Sequence, residues 1–286
     1  MNDRQKGGKY LLIIKNIISE PKKRNEYTII IDENGEERRF SIHVDTFVRF
    51  TLYKGMEITR EDLEKIKYED RIRQAYNSAL SYLSYRKRSE KEVRDHLREK
   101  GFSQSDIVET MGRLRKERYV DDHDFTESYI RTAIKTSDKG IERIRMELER
   151  KGIAAEIIDK KLLIYKDEWQ LEKAIALVEK YVNRKKHVSI KQLQFQLKTM
   201  LQRKGYPFDI INEAVDEVFQ QMDHNRDREA IQKQGSKALK KYQHLPVQER
   251  LLKIKQYLYR KGFSLDVIED FLHRISEEDE SGRWER

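Results

Sequence analysis

The chain has no cysteine in its 286 residues, and only 3 prolines and 12 glycines. The first absence removes disulfides, thiolate metal sites and cysteine nucleophiles. Scarce proline and glycine argue against collagen-like or low-complexity sequence. No apolar run approaches the roughly 20 residues of a membrane-spanning helix. The run near the start, Tyr10 to Ile14, is broken by Lys15 and is too short for a signal-peptide core, so a cytoplasmic location is expected. Nucleotide-binding and hydrolase signatures are also missing: the one glycine pair, Gly7-Gly8, lies in a polar leader, and the seven histidines are scattered. No cofactor and no metal is called for, and an enzyme reading has little support.

What the chain does have is charge and helical periodicity. Sixty Lys and Arg against 51 Asp and Glu leave +9, with 39% charged and 37% hydrophobic residues. One to three small, helix-rich domains fit that length. The first 58 residues are the exception. The β-branched run Tyr27 to Ile31, and Phe40, Ile42 and Val44 alternating with polar residues, predict two strands joined by a tight turn at Asn34-Gly35. After Gly55 the pattern turns helical. Thr59 and Asp62 resemble a capping box, and Ile72, Tyr76, Ala79, Leu80 and Leu83 form one apolar stripe.

Four Lys-Gly-apolar triplets then recur: Lys100-Gly101-Phe102, Lys151-Gly152-Ile153, Lys204-Gly205-Tyr206 and Lys261-Gly262-Phe263. Leu97, Leu148, Leu201 and Leu258 stand four residues before the glycines, so each glycine closes an amphipathic helix. Glycine there adopts the left-handed conformation that ends a helix, and the acid that follows (Asp106, Glu156, Asp209 or Asp266) starts the next. Glycines 51, 53 and 57 residues apart leave room for a third helix per module. The expected fold is mainly α: an elongated, curved array of tandem three-helix repeats with a small N-terminal β-containing segment. The expected segments are the β-hairpin region 1–58, connecting helices 59–87, repeats at 88–136, 137–186 and 187–244, and a partial fourth repeat with an acidic tail over 245–286.

Charge placement is the sharpest functional signal. Between Lys180 and Phe208 stand eight cations and no acid: Lys180, Arg184, Lys185, Lys186, Lys191, Lys198, Arg203 and Lys204. A second stretch without acids carries Lys233, Lys237, Lys240 and Lys241. Segregated like charges repel and gain nothing in solubility, so an anionic partner explains them better. Nucleic acid and an acidic protein groove fit equally. The acidic knot Asp121-Asp122-His123-Asp124 sits at a predicted helix start, where capping is the expected role and metal chelation the rival. Aromatic residues, including Tyr165 and Trp169, are expected to pack the helices more than to stack on bases.

Several of these residues carry a resemblance. The segment Leu83-Ser84-Tyr85-Arg86 with Ser89 to Val93, Leu97 and Lys100-Gly101-Phe102, then Tyr119-Val120-Asp121-Asp122, Phe125, Tyr129, Gly140, Ile144, Leu148 and Lys151-Gly152-Ile153, is similar to the RecX regulatory proteins of bacteria. The order of the Ser-x-x-Glu box, the Tyr-x-Asp-Asp step and the Gly-to-Lys-Gly-Ile string makes it specific, over about residues 80 to 160. The third and fourth modules lack the Tyr-x-Asp-Asp step. The resemblance implies a non-catalytic regulator that binds the RecA recombinase filament, lies along its groove and hinders its growth and activity. It also implies a place in recombinational DNA repair. An elongated array with one cationic stretch can reach single- or double-stranded DNA as a further partner, and a monomeric chain is expected. A DNA-binding helical repeat protein without a RecA target is the alternative.

Overall fold

Alternating β-branched residues build the front of the chain. The computed structural model describes residues 5–6, 9–19, 25–33, 35–163, 167–222 and 226–280. Strands β1 (Gln5–Lys6), β2 (Lys9–Ser19), β3 (Glu26–Glu33) and β4 (Glu36–His43) pair antiparallel in that order. Helix α1 (Val44–Arg49) follows, then strand β5 (Glu57–Thr59), which also pairs with β2. The expected hairpin is β3–β4, in register from Glu33↔Glu36 to Glu26↔His43. Asn34 of its turn lies outside the described residues; Gly35 has φ 92° and its amide donates to Asp32 Oδ1 at 2.7 Å. Val44 opens α1 instead of extending the strand, because the His43 ring accepts from the Asp45 amide and caps a helix there. The broken run at Tyr10 to Ile14 is a third long strand: Leu12 and Ile14 are buried, while Lys15 points out and pairs with Asp32 at 3.1 Å.

The capping box at Thr59 and Asp62 starts α2 (Arg60–Leu83), a helix shared by two cores. Its first half lays Leu63 and Ile66 on the sheet residues Leu12, Ile14, Ile29, Ile31 and Ile42. Its second half gives Ala75, Tyr76 and Ala79 to a core with α3 (Glu90–Glu99) and α4 (Gln104–Lys116), which supply Val93, Leu97, Ile107, Met111 and Leu114. Helices α5 (Asp122–Thr136), α6 (Ile141–Arg150) and α7 (Ala155–Leu162) follow. Then α8 (Asp167–Arg184), α9 (Ile190–Lys204) and α10 (Phe208–Gln220) close around Ala174, Val178, Leu193, Leu197, Leu201 and Ile211. Finally α11 (Arg226–Tyr242), α12 (Val247–Arg260) and α13 (Leu265–Glu280) share Ile231, Ala238, Ile254, Leu258, Ile268 and Phe271. In these three cores the long helix packs with the Lys-Gly pair that follows it, one helix out of phase with the segment boundaries counted from the glycines. The fourth group has a complete three-helix core. By contact the chain divides into two compact units, Met1–Thr126 with Lys151–Ile153, and Glu127–Arg150 with Ala154–Arg286.

The triplets end α3, α6, α9 and α12 as expected, with the four glycines at φ between 80 and 87°. The amides of Phe102, Tyr206 and Phe263 reach back to the carbonyls of Leu97, Leu201 and Leu258 at 3.2, 3.2 and 3.3 Å. Those bonds satisfy carbonyls that the helix end would otherwise leave orphaned. Three triplets also join neighbouring repeats. Ser89 Oγ, capping α3, donates to the Lys151 carbonyl at 2.7 Å. The Gly140 amide, ahead of α6, donates to the Lys204 carbonyl at 2.8 Å, and Ser189 Oγ, capping α9, donates to the Lys261 carbonyl at 2.6 Å. The residue at the start of each second helix thus holds the Lys-Gly corner of the next repeat.

Candidate partner-binding surface

Helix α8 buries Ala174, Val178 and Val182, which leaves Lys180 and Arg184 on its solvent side. The loop after it is basic, and α11 fixes it: Arg226 donates to the carbonyls of Val182 and Lys185 at 3.0 and 2.7 Å, and Gln234 to the His187 carbonyl at 2.8 Å. Lys233 lies 3.1 Å from the His187 ring nitrogen, so the second basic stretch meets the first at this loop. On α9 the buried stripe Leu193, Leu197 and Leu201 turns Lys191 and Arg203 outward.

The eight cations do not all remain available. Lys198 donates to Asn212 Oδ1 at 2.7 Å, and Lys204 pairs with Asp138 at 3.3 Å. A run free of acids in sequence is therefore partly neutralised in space by an acid from the second repeat. Lys180, Arg184, Lys185, Lys186, Lys191 and Arg203 are in no salt bridge among the described residues. All six are exposed, and Lys185 sits 5.8 Å from the Tyr181 ring centre.

The joints between repeats differ in charge. At the first, Glu92 takes Lys151 at 3.0 Å and Arg86 at 2.9 Å. Burial alone would raise the Glu92 carboxyl, but bonds from Lys151, the Ser89 amide and Arg86 hold it below the ordinary carboxylate range. At the second, Asp138 takes Lys204. At the third, the residue three places after the capping serine is Gln192, where the first joint has Glu92. Lys261 is in no salt bridge among the described residues; its ammonium lies 5.6 Å from the Tyr257 ring centre. A groove opens at this third joint, lined by Lys191, Gln192 and Phe195 of α9, by Asp227, and by Tyr259 to Ser264 at the end of α12. Asp227 accepts the Ile190 amide at 2.8 Å; burial raises its carboxyl above the usual range, against that bond and the charge of Arg226.

Sequence reasoning named Lys191 in this groove but missed Phe195, Tyr259, Arg260 and Lys261. A signal was present: 195 and 259 fall off the buried stripes at 193, 197 and 201 and at 254 and 258. Trp169 is half-buried, with Lys173 Nζ 5.1 Å from its ring, and Tyr165 lies outside the described residues. The acidic knot is occupied with structure. Asp121 Oδ1 accepts the His123 and Asp124 amides at 2.7 and 3.2 Å, Asp122 accepts the Glu90 amide at 2.9 Å, and Asp124 pairs with Lys87 at 2.6 Å. Among the described residues no cluster of His, Asp or Glu could hold a metal ion, and no helix is long and apolar enough to cross a membrane.

Family models with the descriptions "RecX, first three-helix domain", "RecX, second three-helix domain" and "RecX, third three-helix domain" match residues 75–114, residues 121–162, and both 168–215 and 226–272. A "Regulatory protein RecX" from Bacillus licheniformis is 39% identical over 259 residues, covering 91% of this chain and 97% of that protein. The chain belongs to the RecX family. The RecX protein of Bacillus subtilis is 38% identical over the same length. A crystal structure of a regulatory protein RecX covers 72% of this chain at 28% identity and a TM-score of 0.59. One of RecX from Lactobacillus salivarius covers 53% at 39% identity and a TM-score of 0.51. The first RecX match begins within α2, the second and third at the starts of α5 and α8, and the third domain matches this chain twice in succession.

Proposed function

We propose that this chain regulates the RecA recombinase by binding its filaments, lying in the filament groove or blocking filament growth, and so inhibits recombinase and ATPase activity. It does this in the cytoplasm, as a monomer and without catalysis of its own. The reading rests on membership of a family of regulatory proteins along most of the chain. The surface of the third repeat supports it: six exposed cations with no ion-pair partner among the described residues suit an anionic filament, and attraction of that kind steers association. Tandem modules that join corner to cap offer contacts to more than one protomer, and bridging protomers would hinder the movements of nucleotide turnover.

The test is RecA ATPase on single-stranded DNA with and without the chain, together with co-sedimentation at moderate salt. Inhibition with co-sedimentation is expected. Full ATPase activity and no co-sedimentation would remove the proposal. Tight binding to bare DNA with no preference for coated DNA would favour a DNA-binding module in its place.

A further inference from the structure

We infer that the joint between the third and fourth repeats is a binding groove for single-stranded DNA, with phosphates on Lys191, Arg260 and Lys261 and bases stacked on Phe195 and Tyr259. The choice of DNA over other polyanions rests on the filament reading above; the groove itself rests on three observations.

The first is exposure. Phe195 is 72% and Tyr259 60% exposed, although the apolar stripes of their helices are complete without them. One exposed ring is ordinary on a protein surface, but two rings lining one groove with three cations form a stacking platform beside a phosphate track. The second is charge. Lys191, Arg260 and Lys261 are in no ion pair among the described residues, and they outnumber Asp227, the acid in the lining, which accepts the Ile190 amide at 2.8 Å. The third is the comparison between joints. Both earlier joints give their lysine an acid, Glu92 to Lys151 at 3.0 Å and Asp138 to Lys204 at 3.3 Å. The third keeps the serine-to-carbonyl bond that couples the repeats, at 2.6 Å, but carries the neutral Gln192. The coupling is retained, and among the described residues no carboxylate pairs with Lys261, which leaves a groove with more cations than acids on an intact joint. Stacking needs open base faces, which a single strand offers and a duplex hides.

Fluorescence anisotropy of a labelled oligothymidylate with the full chain, without recombinase and at low salt, tests this. The wild type binds. Phe195→Ala and Tyr259→Ala each weaken binding roughly tenfold or more, with helicity by circular dichroism unchanged. Gln192→Glu weakens it comparably by setting a carboxylate opposite Lys261, as Glu92 stands to Lys151, and does not lower stability. Unchanged affinity in both aromatic variants overturns the groove, as does tighter binding of a duplex of equal length or equal displacement by polyglutamate. A chain that inhibits RecA but binds oligothymidylate no better than the double aromatic variant also overturns the groove and leaves the filament reading standing. Oligothymidylate binding that fails in the variants, without RecA inhibition, supports the groove and removes the filament reading.

Discussion

Glu147 on α6 gathers the Tyr129 hydroxyl and the Lys139 ammonium, each at 2.6 Å, and Arg143 at 3.3 Å. Burial would raise its carboxyl, yet Lys139, Tyr129 and Arg143 together hold it below the ordinary range. A carboxyl lowered by folding contributes stability that is fully present above its unfolded value and is lost as pH falls through its folded value. Glu147→Gln is therefore expected to lower stability by about 1–3 kcal/mol at neutral pH, with the gap to wild type closing as urea titrations move into the acid range. The triplet glycines allow a second comparison. Gly101 has φ 86° and open space where a Cβ would sit, so Gly101→Ala meets backbone strain of about 1–2 kcal/mol. Gly205 has φ 84°, and its Cβ would also fall 2.6 Å from Arg143 Cβ across the second joint. Gly205→Ala is expected to lose clearly more in urea denaturation. Equal losses would mean that the joint yields without cost.

At the scale of elements, each Lys-Gly corner both ends its helix and accepts a bond from the repeat before it. Helix stops were readable from Leu97, Leu148, Leu201 and Leu258 and the glycine four places on, because capping is a local rule. The joints were not readable, because the donors Ser89, Gly140 and Ser189 lie 62, 64 and 72 residues from Lys151, Lys204 and Lys261. Spatial pairing also decided which cations remain unpaired. The loop and helix start bearing Lys185, Lys186 and Lys191 is held by backbone-directed bonds from Arg226 and Gln234, so its side-chain charges are not needed for its shape. Changing those three lysines to Glu is expected to weaken co-sedimentation with RecA filaments while leaving the far-ultraviolet circular dichroism unchanged. Retained binding would clear those lysines of a role.

At the scale of the whole molecule, a net +9 is spread unevenly, and ion pairs use up much of the charge outside the third repeat. Association through unpaired surface cations is screened by salt. Filament binding is expected to weaken steadily as salt rises, and the triple Glu variant to show a shallower dependence. A salt-independent affinity would point instead to an apolar contact.

The sequence by itself determined the helix ends, the hairpin, the four-fold repeat and the family, because each depends on residues close in the chain or on their order. Tertiary structure alone decided which long helix joins which pair, that Asp138 neutralises Lys204, and that Phe195 and Tyr259 share a groove with Lys261. Those outcomes depend on which surfaces meet between separate helices, the last two across more than 60 residues of chain. Periodicity fixes the face a side chain takes on its own helix and is silent about what stands opposite.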